Sequence, residues 1–164
     1  ERAGVDVVTV ANNHGVDFGR QGLTDTLAHL DRSRLAHVGI GRTASEAYRP
    51  HVATVKGRRV AIFGITQVID TEFENTWTAT ATRPGLAWTG NLARLTEGIR
   101  RVRGQVDTVL VFVHWGVERQ HCPTSAQQQL AATLARAGAD VVVGSHAHRL
   151  QGFGTFRAGA SSAG

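Results

Sequence analysis

With 164 residues, 41% of them hydrophobic and 19% charged, the chain is long enough to bury one core and too rich in apolar pattern to be disordered. A single cysteine, Cys122, excludes an intrachain disulfide, and no apolar run approaches the roughly 18 residues of a membrane span. The net charge of +5 is scattered arginine, with Lys56 the only lysine and no interleaved aromatic residues. That pattern argues against a nucleic-acid partner and leaves a mild attraction for acidic ligands.

Val5 to Val10 is a β-branched run that enters the polar loop Ala11-Asn12-Asn13-His14-Gly15, the pattern of a buried strand. Leu23, Leu27 and Leu30 recur at helical spacing and predict a helix over residues 22–34. His37 to Ile40 is a short strand, and Ala44 to Tyr48 one helical turn closed by Pro50. Residues 52–55 and 59–64 flank Lys56-Gly57-Arg58 and predict a hairpin. Ile65 to Thr89 has no clear period and is expected to be a long loop.

Leu92, Leu95, Ile99 and Val102 mark a second long helix ending near Gly104. Thr108 to Val113 is a continuous apolar strand running into His114-Trp115-Gly116. Ser125 and Gln128 form a capping-box spacing that opens a helix through Leu134 to Gly138. Asp140 to Gly144 is the last strand, followed by Ser145-His146-Ala147-His148. Residues 157–164 are small and polar and are expected to fray, which leaves a single domain over 1–156. Strands alternating with helices, without a repeat or linker, predict an α/β architecture with parallel strands.

The chemistry concentrates where three hydrophobic strands end. Each ends in a histidine-bearing loop: Asn12-Asn13-His14, His114-Trp115-Gly116 and Ser145-His146-Ala147-His148. In α/β sheets the C-terminal strand ends share one edge, where ligands bind, so the three segments are expected to converge. Neutral imidazole is the commonest ligand for Zn²⁺ and related ions. Singly these residues have ordinary readings: a structural His114, an Asx-turn Asn13, an incidental His-x-His pair. Their joint placement points to a metal site.

At these residues the sequence resembles the bacterial capsule-synthesis CapA (PGA_cap) family, associated with poly-γ-glutamate and related to the calcineurin-like metallophosphoesterases. The matching segments are VDVVTVANNHGVDFGRQGLTDTLAHL, GIGRTASEAYRP, VFVHWGVERQHCPTSAQQQLAATLARAGADVVVGSHAH and HRLQGF. The resemblance implies a four-layer αββα sandwich of the metallophosphoesterase type, incomplete in this chain. It also implies a dinuclear site holding two divalent ions in the complete domain (Mn, Zn or Fe), with Asn13, His114, His146 and His148 as ligands and Asn13 also touching substrate. His14 would be the general acid, oriented by Asp17 in place of the acidic residue that follows the histidine in typical phosphoesterases, where this chain has Gly15. Glu118 and Trp115 are candidate substrate contacts; the ordinary alternatives are a solvated carboxylate and a packed indole.

The implied activity is metal-dependent hydrolysis of an anionic substrate, a phosphoester or poly-γ-glutamate. The alternative is a non-catalytic binding or export factor for an anionic capsule polymer on the same scaffold. The family's acidic ligands on earlier strands and its closing strand are not in this sequence, which also holds no methionine. A fragment, inactive by itself, is therefore the expectation. Family members are often exported, surface-associated and membrane-anchored, although this chain shows no span.

Overall fold

β-Branched and apolar runs form strands, and the leucine-spaced segments between them form helices. In the computed structural model, which describes residues 3–33 and 35–156, the chain order begins β1 (Val7–Thr9), α1 (Gly19–Arg32), β2 (Ala36–Val38), β3 (Ile40–Gly41) and α2 (Ala44–Ala47). It continues through β4 (His51–Val55), β5 (Arg58–Thr66), α3 (Glu74–Trp77), β6 (Gly85–Leu86) and α4 (Leu92–Arg103). It closes with β7 (Thr108–Trp115), α5 (Ser125–Ala137) and β8 (Val141–His146). The expected tail 157–164 and the end of the first helix at residue 34 lie outside the described residues. Among the described residues no helix is long and apolar enough to cross a membrane.

The main sheet has the order β4-β5-β7-β8. β5, β7 and β8 run parallel, and β4 joins antiparallel through the two-residue Lys56-Gly57 turn. A second, parallel pair is β1-β2, and β3 pairs antiparallel with β6. The parallel expectation thus holds for the strands that lead into the histidines, β4 and β5 form the expected hairpin, and the antiparallel β3–β6 pair departs from the parallel pattern.

Two apolar clusters define the layers. On one face of the main sheet, Leu95 and Ile99 of α4 and Leu130 and Leu134 of α5 pack on Phe63, Ile65, Val109, Val111 and Val113. The alternation along β7, with Val109, Val111 and Val113 fully buried and the residues between them half-buried, follows from the two-residue period of a strand. The opposite face receives the β1-β2 pair at Gly64, where an added Cβ would stand 2.5 Å from Thr9 Oγ1 and 2.9 Å from Val38 Cγ2. Beyond that pair, Leu23 and Leu27 of α1 pack with Val16, Ile40 and Leu86. The order is helix, sheet, sheet, helix.

Several element boundaries differ from expectation. The presumed loop over residues 65–89 is partly ordered: β5 continues through the fully buried Ile65 and Thr66, and β6 lies within it. Tertiary pairing of Thr66 with His114 overrides the missing local period. The capping box is Thr124 with Gln127, one residue earlier than read, because Thr124 holds extended backbone while Ser125 is already helical. Gln127 Oε1 accepts from the Thr124 N–H at 2.9 Å, and the Gln127 side chain is buried beneath Gly116. His114 and His146 lie within the final residues of β7 and β8 rather than in loops beyond them.

Candidate metal centre

Asn13 and His114 meet although they are 101 residues apart: His114 Nε2 lies 2.8 Å from Asn13 Oδ1. The close approach at Gly64 makes this possible, since it lets β1 settle on β5 and carry its loop to the end of β7. The Asn13 side chain also reaches His14, Nδ2 to Nε2 at 3.2 Å, and His14 Nδ1 lies 2.9 Å from Asp17 Oδ2. On the far side His114 Nδ1 is 3.1 Å from Ser145 Oγ. Ser145, Asn13, His14 and Asp17 are therefore strung on a single chain of hydrogen bonds through His114.

Asp17 occupies its position for a steric reason. A Cβ on Gly15 would stand 2.6 Å from the Val10 carbonyl oxygen and 3.0 Å from a Leu86 methyl, so the position directly after His14 has no room for a carboxylate. Asp17, three residues along the same turn, reaches the imidazole instead. Both groups face solvent, His14 at 71% and Asp17 at 46% side-chain exposure.

The second half of the site comes from β8. His146 (φ 91°) and His148 (φ 52°) both hold left-handed backbone, uncommon for residues with a side chain. An uninterrupted strand would point i and i+2 along one face and continue away from the rim; the left-handed turns gather both rings at it. The His114 and His146 ring centroids lie 4.7 Å apart, and those of His146 and His148 6.2 Å apart. Glu118 Oε1 lies 3.8 Å from His148 Nε2, and one ligand atom from each of Glu118, His146 and His148 falls within 4.8 Å of the others. The Arg119 N–H donates to the Ala147 carbonyl at 2.7 Å, which clips the Glu118 segment onto the histidine turn.

Burial pushes the His114 imidazole down to about 4, helped by the neighbouring His146, His14 and His148. Burial also holds His146 below its ordinary value, against the opposing pull of the Glu118 carboxylate. Both rings are therefore neutral near pH 7, the state in which a ring nitrogen can bind a cation.

Trp115 is placed differently from the histidines. It follows His114 in β7, so its side chain leaves by the opposite face, where it packs on the helix-covered core with its indole over Gly144. Cys122 is exposed, and a groove of about 960 Å³ runs from His146 and His148 along the outer edge of β8 to Leu150 and Phe153. Sequence reasoning missed Ser145, the Arg119–Ala147 clip and the steric demands at Gly15 and Gly64. Only Ser145 had a usable signal, since it sits one residue before the first histidine of the pair.

Glu118, His146 and His148 bring a carboxylate and two imidazoles within 4.8 Å of one another, donor chemistry of the kind that can hold a divalent cation, and the hydrogen-bonded Asn13–His114 pair stands beside them.

Comparison with known proteins identifies the family and the fold. The family model "Bacterial capsule synthesis protein PGA_cap" matches residues 1–159. The capsule biosynthesis protein CapA of Bacillus anthracis is 33% identical over 97% of this chain and 38% of its own length. The PGA biosynthesis protein CapA of Bacillus subtilis is 34% identical over 88% of this chain and 37% of its own. A polyglutamine synthesis accessory protein of Mycobacterium tuberculosis is 32% identical over 87% and 39%. The chain thus spans under two-fifths of the length of these relatives. The solved structure of a Staphylococcus aureus protein described as a 5'-nucleotidase, in complex with alpha-ketoglutarate, superposes with a TM-score of 0.56 at 17% identity. That match covers 87% of this chain and 29% of the other, and it fixes the fold as the metallophosphoesterase type. With its model matched along nearly the whole chain and curated members about one-third identical, this chain belongs to the bacterial capsule synthesis PGA_cap family.

Proposed function

We propose that this chain carries the imidazole rim of a metal-dependent hydrolase centre that serves capsule or poly-γ-glutamate synthesis, with an anionic phosphoester or γ-glutamyl amide as substrate. The observation that supports it most is the 2.8 Å junction of Asn13 and His114, from strands far apart in sequence, beside a cluster of Glu118, His146 and His148. Asn13, His114 and His146 would hold one divalent ion, and His148 with Glu118 a second. A cation there supplies positive charge to an attacking water and to the oxygens of the electrophile.

The chain's own residues supply the rest. Asp17 accepts the Nδ1–H of His14, which fixes the ring with Nε2 turned toward Asn13. To act as general acid His14 would first take a proton on Nε2, releasing the Asn13 Nδ2–H while Nδ1–H stays on Asp17, and would then deliver that Nε2 proton to the leaving oxygen or nitrogen. The Asn13 amide joins the two groups and meets the substrate. Trp115 supports β8 through Gly144 and also lines the groove that leads away from His146 and His148. Glu118, at the solvent side of the histidines, is a ligand or a contact to the substrate's polar groups.

The name of the mycobacterial relative, a synthesis accessory protein, favours a second reading in which the same rim binds an anionic polymer without cleaving it. Turnover separates the two. Protein stripped with chelator and reloaded with Mn²⁺ or Zn²⁺ is assayed on bis-p-nitrophenyl phosphate and on a γ-glutamyl anilide. Hydrolysis that falls about 10²–10⁴-fold in His14→Ala, with metal retained, supports the enzyme. Tight binding of poly-γ-glutamate with no turnover on either substrate supports the second reading, and turnover indifferent to both His14→Ala and His146→Ala removes the first.

A further inference from the structure

Hydrogen-bond polarity along the Asp17–His14–Asn13–His114–Ser145 chain is fixed from one end. The Asp17 carboxylate can only accept, so His14 donates from Nδ1 and keeps a lone pair on Nε2. That lone pair takes the Asn13 Nδ2–H, which leaves Asn13 Oδ1 toward His114. An amide oxygen can only accept, so His114 donates from Nε2 and its Nδ1 carries a lone pair. Nδ1 is therefore the acceptor of the Ser145 hydroxyl at 3.1 Å.

A cation needs lone pairs from both Asn13 Oδ1 and His114 Nε2, and in this arrangement a single proton lies between those two atoms. For His114 to bind through Nε2, the ring must carry its proton on Nδ1 instead. Ser145 is the group facing Nδ1, and a hydroxyl can turn from donor to acceptor without moving its oxygen.

We propose that Ser145 is a positioning residue that holds His114 in either neutral tautomer, donating to Nδ1 in the metal-free chain and accepting from Nδ1–H when Nε2 holds the cation. The ring stays neutral throughout: its proton leaves Nε2 and one returns to Nδ1, so the exchange is balanced. This rests on the reading of Asn13 and His114 as metal ligands. A group that orients a ligating histidine typically changes metal affinity by about 10–100-fold.

The test is long-range ¹H–¹⁵N spectroscopy of the histidine rings in the labelled protein, first metal-free and then with Zn²⁺, alongside Zn²⁺ affinity by chelator competition. His114 is expected as the Nε2–H tautomer without metal and as Nδ1–H with Zn²⁺. Ser145→Ala is expected to weaken Zn²⁺ about 10–100-fold, whereas Ser145→Thr, which keeps the hydroxyl, stays near wild type. A simple packing role would not sort the two variants by hydroxyl or move the ring tautomer. Unchanged Zn²⁺ affinity in Ser145→Ala, with binding lost in His114→Ala, overturns the role of Ser145 and leaves the metal reading standing. Unchanged affinity in His114→Ala overturns both.

Discussion

The two halves of the candidate centre are organised by different means. The Asn13–His114 half is tied by direct hydrogen bonds from Ser145 through to Asp17 and is partly buried, so its geometry exists before any ligand arrives. The Glu118–His146–His148 half has only a 3.8 Å ion pair between side chains and is held by left-handed backbone and the Arg119–Ala147 clip. The first half is set by side chains and the second by main chain. A cation would complete the second half and would replace a hydrogen bond in the first.

The largest expected effect separates ligation from folding. Replacing His146 and His148 together by alanine removes two imidazoles from a half with few other side-chain contacts. Zn²⁺ or Mn²⁺ affinity is expected to fall more than about 100-fold, while thermal unfolding of the metal-free protein moves little; calorimetry of both forms measures it. A fall in unfolding temperature as large as that of a core substitution would show the two halves to be coupled.

Gly15→Ala sharpens the contrast from the other side. The new Cβ meets the Val10 carbonyl oxygen and the Leu86 methyls, so the loop carrying Asn13 and His14 must shift. A stability loss of about 1–3 kcal/mol by urea unfolding is expected, together with weaker cation binding. The distant half should keep its histidine chemical shifts. Of smaller size, Thr124→Ala removes one side of the capping box of α5 and should cost about 1 kcal/mol, with metal affinity unchanged.

A pH dependence gives a further test of the buried half. His114 sits near 4 in the folded chain against 6.5 for a free imidazole, so between these values the unfolded chain binds more protons. Stability of the metal-free protein is therefore full above about pH 6.5 and declines as the pH falls toward about 4. His114→Gln should flatten that part of the curve of unfolding temperature against pH. A wild-type curve already flat between pH 6.5 and 4 would mean that the ring is hydrated in the folded state.

Much of this arrangement is legible in the sequence because it rests on strands. Val109, Val111 and Val113 announce β7, and a histidine directly after such a run must stand at its C-terminal end. The helices followed from leucine spacing and from the Ser125–Gln128 spacing, although the cap itself is Thr124 with Gln127, one residue earlier. What could not be read depends on contacts between distant residues. The order of residues 65–89 comes from pairing with His114 and with β3, which leaves no local period. The steric closure at Gly15 depends on Leu86, and that at Gly64 on Thr9 and Val38. The partition of the rim into two halves needs backbone angles at His146 and His148, which no residue pattern encodes.

Paramagnetic broadening by Mn²⁺ tests the centre most directly. Substoichiometric Mn²⁺ added to the ¹⁵N-labelled protein should broaden the ring signals of His14, His114, His146 and His148 together, and leave His29, His37 and His51 sharp. Broadening of His146 and His148 while His114 stays sharp would contradict a shared centre, and broadening confined to His37 and His51 would place the cation elsewhere on the molecule.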